Sequence, residues 1–253
     1  MALSFRQTEI LEIARTEGRV AVEDLAQRFD VTLQTIRRDL TDLSGAGHLD
    51  RVHGGALVRT GVANIGYAAR RRMNEAAKAA IARACAAAVP ENCSLILNLG
   101  TTTEAVAREL LNHRNITVVT NNMNVANILV GNPGCEVMVA GGALRRSDGG
   151  LVGELTTQFF EQFKVDYAVI GTSALDRDGD LLDFDLAEVR VSKAIIRQAR
   201  TTFLVTDHSK LDRSAPVRLA SLAEVDALFT DQALPADLAT KCRDWGTEVR
   251  VAA

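Results

Sequence analysis

The sequence predicts an α/β protein in two parts: an N-terminal winged helix-turn-helix domain and a larger α/β domain built on a mainly parallel sheet. Two observations predict it. Residues 6–58 carry three helical patterns followed by a strand–turn–strand pattern, and residues 94–251 alternate β-rich apolar runs with helical ones. Repeated strand–helix alternation is the pattern of a parallel sheet covered on both faces. At 253 residues the chain exceeds a usual single domain. The expected division is 1–59 for the head, 60–73 for a linker and 74–253 for the larger domain.

Ile10, Leu11 and Ile13 lie among polar neighbours at helical spacing, and Gly18 is placed to stop that helix. Val22, Leu25, Ala26 and Phe29 define a second helix, with Glu23 and Asp24 in the first turn, where carboxylates suit the helix dipole. After Asp30-Val31, Thr32 is a good N-cap for a third helix whose Ile36, Leu40 and Leu43 share one face. That leaves Gln34, Thr35, Arg37 and Arg38 on the other faces. Gln pairs with adenine and Arg with guanine in a major groove, and Thr serves bases or phosphates. The run Gly47 to Val58 reads as a two-stranded wing, with Arg51 and His53 placed for phosphate. The expected DNA-contact set is therefore Thr32, Gln34, Thr35, Arg37, Arg38, Arg51 and His53.

Residues 60–67 are small and weakly periodic, as a linker is, and Arg70-Arg71-Arg72 follow. An Ala-rich helix spans 74–89. Strands are then expected at 94–99, 116–120, 136–140, 167–170, 202–206, 227–230 and 247–251. Helices are expected at 104–111, 124–130, 155–163, 187–199 and 235–244. Ligands of such sheets bind beyond the carboxyl ends of the strands. Those ends hold Asn98, Gly100, Thr101, Thr102 and Thr103; Asn121 and Asn122; Gly141, Gly142 and Arg145; Gly171; Asp183, Asp185 and Glu188; and Lys210. A glycine turn with hydroxyls opening onto a helix is an anion cradle. It lacks the P-loop's spacing and Gly-Lys-Ser/Thr ending. Together these residues predict a small polar site for phosphate and hydroxyl groups.

Composition excludes several classes. Apolar residues make up 47% and charged ones 24%, ordinary globular usage, and no apolar run reaches the eighteen residues of a membrane span. The N-terminus lacks a signal-peptide layout, so the expected location is the cytoplasm. A net charge of −3 argues against a protein that coats nucleic acid nonspecifically, not against a local basic face. Cys85, Cys93, Cys135 and Cys242 show no metal-ligand spacing and read as buried small hydrophobes, so neither metal nor cofactor is expected.

Thr35-Ile36-Arg37-Arg38-Asp39-Leu40 and His53-Gly54-Gly55-Ala56 resemble the DeoR family of bacterial regulators. So, over the rest of the chain, do Gly100-Thr101-Thr102-Thr103, Thr120-Asn121-Asn122-Met123-Asn124, Asp148-Gly149-Gly150, Leu182-Asp183-Phe184-Asp185 and Asp207-His208-Ser209-Lys210. The resemblance implies a repressor of a carbon-catabolism operon that binds operator DNA; one head reads too little DNA to be selective, so a homodimer or homotetramer is expected. The resemblance also implies release by a phosphorylated sugar or polyol, with glycerol 3-phosphate favoured. Asn98 departs from the acidic residue expected before the Gly-Thr-Thr turn. The family's sensor domain is similar to ribose-5-phosphate isomerase, so an isomerase is the rival reading. That enzyme carries an Asp-Gly-Ala-Asp-Glu run where this chain has Ile170-Gly171-Thr172-Ser173-Ala174, and a general base without its partners makes a poor isomerase. A DNA-binding scaffold without a ligand is the third class, and the polar loops speak against it.

Overall fold

The helical spacing of the first forty-five residues is realised as three helices around one small core. The computed structural model describes residues 3–17, 19–46, 48–52, 54–58, 66–211 and 213–252. Helix α1 (Phe5–Glu17) leads to strand β1 (Arg19–Ala21), α2 (Val22–Phe29) and α3 (Leu33–Gly45). Ile10, Leu11, Ala14, Leu25, Ile36, Leu40 and Leu43 bury together. Asp30 ends α2 in the left-handed region, a conformation its short polar side chain tolerates, and this makes the tight turn before α3. Strands β2 (Leu49–Val52) and β3 (Gly55–Val58) form the wing.

The wing is three-stranded, not two-stranded, because β1 pairs with β3. A three-residue strand is too short to show alternation, so nothing in the sequence marks it. At Gly55 a Cβ would lie 2.0 Å from the Val20 carbonyl oxygen, so only glycine allows the two strands to approach. Of the expected linker, residues 60–65 lie outside the described residues, as does His53. Residues 67–72 form a short helix, α4 (Tyr67–Arg72), that packs on α1. The chain divides into two compact units, Met1–Met73 and Asn74–Ala253.

The second unit opens with α5 (Glu75–Ala88). Its elements continue β4 (Ser94–Leu97), α6 (Thr101–Glu109), β5 (Ile116–Thr120), α7 (Met123–Leu129) and β6 (Cys135–Val139). Then come β7 (Ala143–Arg145), β8 (Gly150–Val152), α8 (Glu154–Phe160), β9 (Val165–Ile170), β10 (Ala174–Leu175), β11 (Asp180–Asp183) and α9 (Leu186–Gln198). The last are β12 (Ala199–Val205), β13 (Val217–Ser221), β14 (Ala227–Thr230), α10 (Ala236–Trp245) and β15 (Glu248–Val251). Seven strands form one parallel sheet in the order β15-β14-β12-β9-β4-β5-β6. All seven expected strands are in it, with ends shifted by up to three residues. The β7–β8 hairpin and the antiparallel sheet β10-β11-β13 are additions that the apolar-run reading did not contain.

Both faces of the sheet are covered. Ile96, Val119, Ile170 and Leu204 bury on one side with Val189, Ala194 and Ile195 of α9, Phe160 of α8 and Leu238 of α10. Leu95, Leu97, Val118, Phe203 and Val205 bury on the other with Ile81 and Cys85 of α5, Val106 of α6 and Leu129 of α7. The chain builds outward from β4 through β5 to β6, then returns to β9 on β4's other side. The strand order therefore reverses between β4 and β9, where such sheets open a crevice at the carboxyl edge.

Candidate DNA-contact surface and effector site

On α3 the expected contact residues are presented together. Thr32 caps the helix, accepting from the Thr35 N–H at 3.2 Å, and the two hydroxyls lie 2.9 Å apart. Gln34, Arg37 and Arg38 are exposed, while Ile36 and Leu40 are fully buried beneath them. Asp39, next to these arginines, is buried and takes a 2.6 Å hydrogen bond from Arg6 Nε, so its charge is neutralised within the head. That pair spans 33 positions and has no local sequence signal. Leu33 was not anticipated as a contact. It is 42% exposed in the first turn of α3, where an apolar side chain suits a thymine methyl. Arg51 does something the sequence did not foretell: its guanidinium donates to the Arg37 carbonyl at 2.9 Å and to Thr41 Oγ1 at 3.3 Å, joining wing to helix.

At the crevice, α6 starts three residues earlier than the periodicity suggested, so Thr101, Thr102 and Thr103 form its first turn. Gly100 precedes them at φ 143°, a conformation that glycine alone adopts freely, and no side chain caps the helix. The opening amides of α6 thus face the carboxyl edge of β4 with no side-chain cap from Gly100, while Glu104 of the same turn is buried and accepts from Asn124. Thr103 donates to the Gly100 carbonyl at 2.6 Å, which holds the turn, and Thr102 is buried beside it.

Arg145 is the hub of a half-buried ion cluster. It donates to Asp148 (2.6 and 2.9 Å), Asp185 (2.8 Å) and Glu188 (2.6 Å). Burial opposes its charge, but Asp148 and Glu188 outweigh that and hold it more strongly protonated than usual. Asp148 in turn links through its carbonyl to Asn124, which also donates to Glu104 on α6 at 3.1 Å. The structure therefore brings together Arg145, Asp185 and Glu188 as expected, but with the arginine engaged by carboxylates. Asp148, three residues after Arg145, was the legible signal for this.

Other expected residues serve the frame. Asn98 donates to Ser192 on α9 at 2.8 Å and accepts from the Leu99 N–H. Asn122 caps α7 through the Asn124 and Val125 amides. Gly141 and Gly142 are exposed and pack against α8: the Gly141 carbonyl accepts from Thr156, and a Cβ on Gly142 would collide with that hydroxyl. Asp183 is buried and accepts from the Phe184 N–H at 2.6 Å, turning the chain into α9, which Asp185 caps. Gly171 lies between the ends of β4 and β12, where an added Cβ would meet only the Leu99 and Val205 carbonyls at 3.6 and 4.0 Å.

Beyond β12, Asp207 is 2% exposed. It accepts from Asn74 Nδ2 at 2.7 Å and from the Ser209 backbone and hydroxyl. Burial alone would raise its pKa, but Lys210, Ser209, Asn74 and Lys78 together hold it below the usual carboxylate value. Lys210 is thus placed at this edge as expected, facing Asp207, which belongs to the same strand-end run but not to the expected effector set. Among the described residues no group of His, Cys, Asp and Glu is arranged to hold a metal ion. The four thiols are free; Cys85 and Cys242 are buried, as expected, whereas Cys93 and Cys135 are half-buried. Burial pushes Cys93 and Cys135 up to about 11, so neither is a thiolate near neutral pH. No helix among the described residues is long and apolar enough to cross a membrane.

A winged helix-turn-helix head followed by an α/β unit with polar groups gathered at the carboxyl edge of its sheet is the architecture of a ligand-responsive transcription regulator. Residues 6–61 match the DeoR-like helix-turn-helix domain and residues 73–232 the DeoR C terminal sensor domain. The chain belongs to the DeoR family. It is 43% identical to the glycerol-3-phosphate regulon repressor of Escherichia coli (strain K12) over 91% of each chain. It is likewise 43% identical to that of Haemophilus influenzae, over 91% of this chain and 90% of the relative. With the HTH-type transcriptional repressor CsqR of Escherichia coli (strain K12) it shares 39% over 96% of this chain and 94% of the other. Among solved structures, a ribose-5-phosphate isomerase in complex with phospho-erythronic acid overlaps 54% of each chain at TM-score 0.41 and 17% identity.

Proposed function

We propose that this protein represses an operon of glycerol or glycerol 3-phosphate metabolism and leaves its operator when a phosphorylated polyol, glycerol 3-phosphate first among candidates, binds the sensor unit. The observation that carries the reading is the uncapped opening of α6 at the point of strand reversal. There, main-chain N–H groups suit a phosphate and the neighbouring amide and hydroxyl side chains suit a polyol. The named relatives with 43% identity, aligned through both domains, support the same ligand. The protein acts in the cytoplasm, and one head reads too little DNA to be selective, so a homodimer or homotetramer on a pseudo-palindrome is part of the proposal.

An isomerase is the weaker reading. After β9 the Thr172 hydroxyl is spent on the Ala174 and Leu182 carbonyls, and Glu188 is bonded to Arg145. Neither is poised to move a proton to or from a sugar carbon. The test is a gel shift on the gene's upstream DNA at fixed salt, titrated with glycerol 3-phosphate and other sugar phosphates. Release by glycerol 3-phosphate is the expected result. Release by another ester alone discards that ligand, and specific binding indifferent to every ester discards the sensing role.

A further inference from the structure

Two buried polar atoms at the carboxyl edge of the large sheet have no hydrogen-bond partner: Thr206 Oγ1, just past β12, and Asn121 Oδ1, just past β5. Their residues are 4% and 0% exposed. A buried hydroxyl or amide oxygen without a partner costs free energy, so folded proteins rarely retain one without a use. Both sit on one face. Side chains alternate along a strand, and Leu204 and Val119, two positions back from each, bury against the α9 side. Asn98, two positions beyond Ile96, confirms the parity by bonding Ser192 on α9. The Thr206 N–H still donates to the Phe229 carbonyl at 3.0 Å, so the alternation continues through this residue. Asp207 then points the other way, to Asn74 and Lys78 at the start of α5.

We infer that Thr206 is a specificity-determining residue of the effector site, its hydroxyl engaging a hydroxyl of the bound ester while the α6 opening holds the phosphate. The inference rests on the sensing role proposed above. The chemistry favours a polyol at this face: the Asn121 amide oxygen can only accept and so matches a group that donates, and the Thr206 hydroxyl can both donate to and accept from a ligand hydroxyl. The reach also fits. Strand β12 lies two strand spacings from β4, about 10 Å, which a short phosphate ester with a hydrogen bond at each end covers. Gly171 keeps the intervening edge free of a side chain.

The test is calorimetric titration of the full-length protein with glycerol 3-phosphate and, separately, inorganic phosphate, using wild type, Thr206→Val and Thr206→Ser, with thermal unfolding of each apoprotein. Valine keeps the shape and removes the hydroxyl. The expected result is an unfolding midpoint at or above wild type, because no internal hydrogen bond is lost. The Kd for glycerol 3-phosphate should rise roughly two- to twelve-fold with that for inorganic phosphate unchanged, the range of one neutral hydrogen bond. Thr206→Ser should restore the wild-type ratio. Unchanged affinity for glycerol 3-phosphate in Thr206→Val overturns the assignment, as does an equal loss for both ligands. So does a clear drop in its midpoint, which would mean that the hydroxyl is paired inside the protein. Wild type that binds neither ligand overturns the sensing role itself, and the assignment with it.

Discussion

Arg37 and Arg145 carry the same side chain to opposite ends. Arg37 is exposed on α3 with its guanidinium free to reach DNA, so Arg37→Ala should weaken operator binding by about 1–3 kcal/mol in a gel shift while leaving effector binding unchanged. Arg145 faces Asp148, Asp185 and Glu188, and its removal leaves three carboxylates repelling one another. Arg145→Met should therefore cost about 1–3 kcal/mol in urea unfolding, less than a fully buried pair because solvent reaches the cluster. A variant as stable as wild type would show that the cluster contributes little. The first arginine was legible in the sequence, because its position on an amphipathic helix fixes what it faces. The second was legible as a residue of the site but not in its role, since two of its three partners lie 40 and 43 positions away. Asn98 and Asn122 are similar: an amide at a strand end reads as a ligand group until the fold supplies a helix for it to hold.

The strands that the sequence reveals are those of the parallel sheet, whose buried positions make continuous apolar runs. All seven sheet strands follow from apolar runs, whereas β1, β7 and β10, of two or three residues, are held by partners rather than by any pattern of their own. Gly55 makes the dependence testable. Gly55→Ala should destabilise the head by about 3 kcal/mol, since the methyl collides with the β1 backbone. Operator binding should be lost while calorimetric effector binding persists; a head of normal stability would contradict the β1–β3 packing. The turn after β12 offers a second test. Asp207 has a folded-state pKa below its unfolded value, so its stabilising contribution is complete above the ordinary carboxylate range and fades as pH falls through the lowered value. Between pH ~5 and ~3, wild type should lose more stability than Asp207→Asn. Equal losses would remove Asp207 from the account.

For the molecule as a whole, two compact units along one chain imply a reciprocal relation between the two ligands. If the effector weakens operator binding by some factor, operator DNA must weaken effector binding by the same factor, commonly about 5–150-fold. Titrating the effector into protein alone and into protein saturated with operator measures this directly, and equal affinities would mean that the effector does not act by release. The contact between Arg51 and the α3 backbone has a further consequence here. Because the wing is clasped to the recognition helix before any DNA arrives, the two need not be brought into mutual register on the duplex. Their ordering entropy is settled during folding, and operator binding keeps more of its contact energy as affinity.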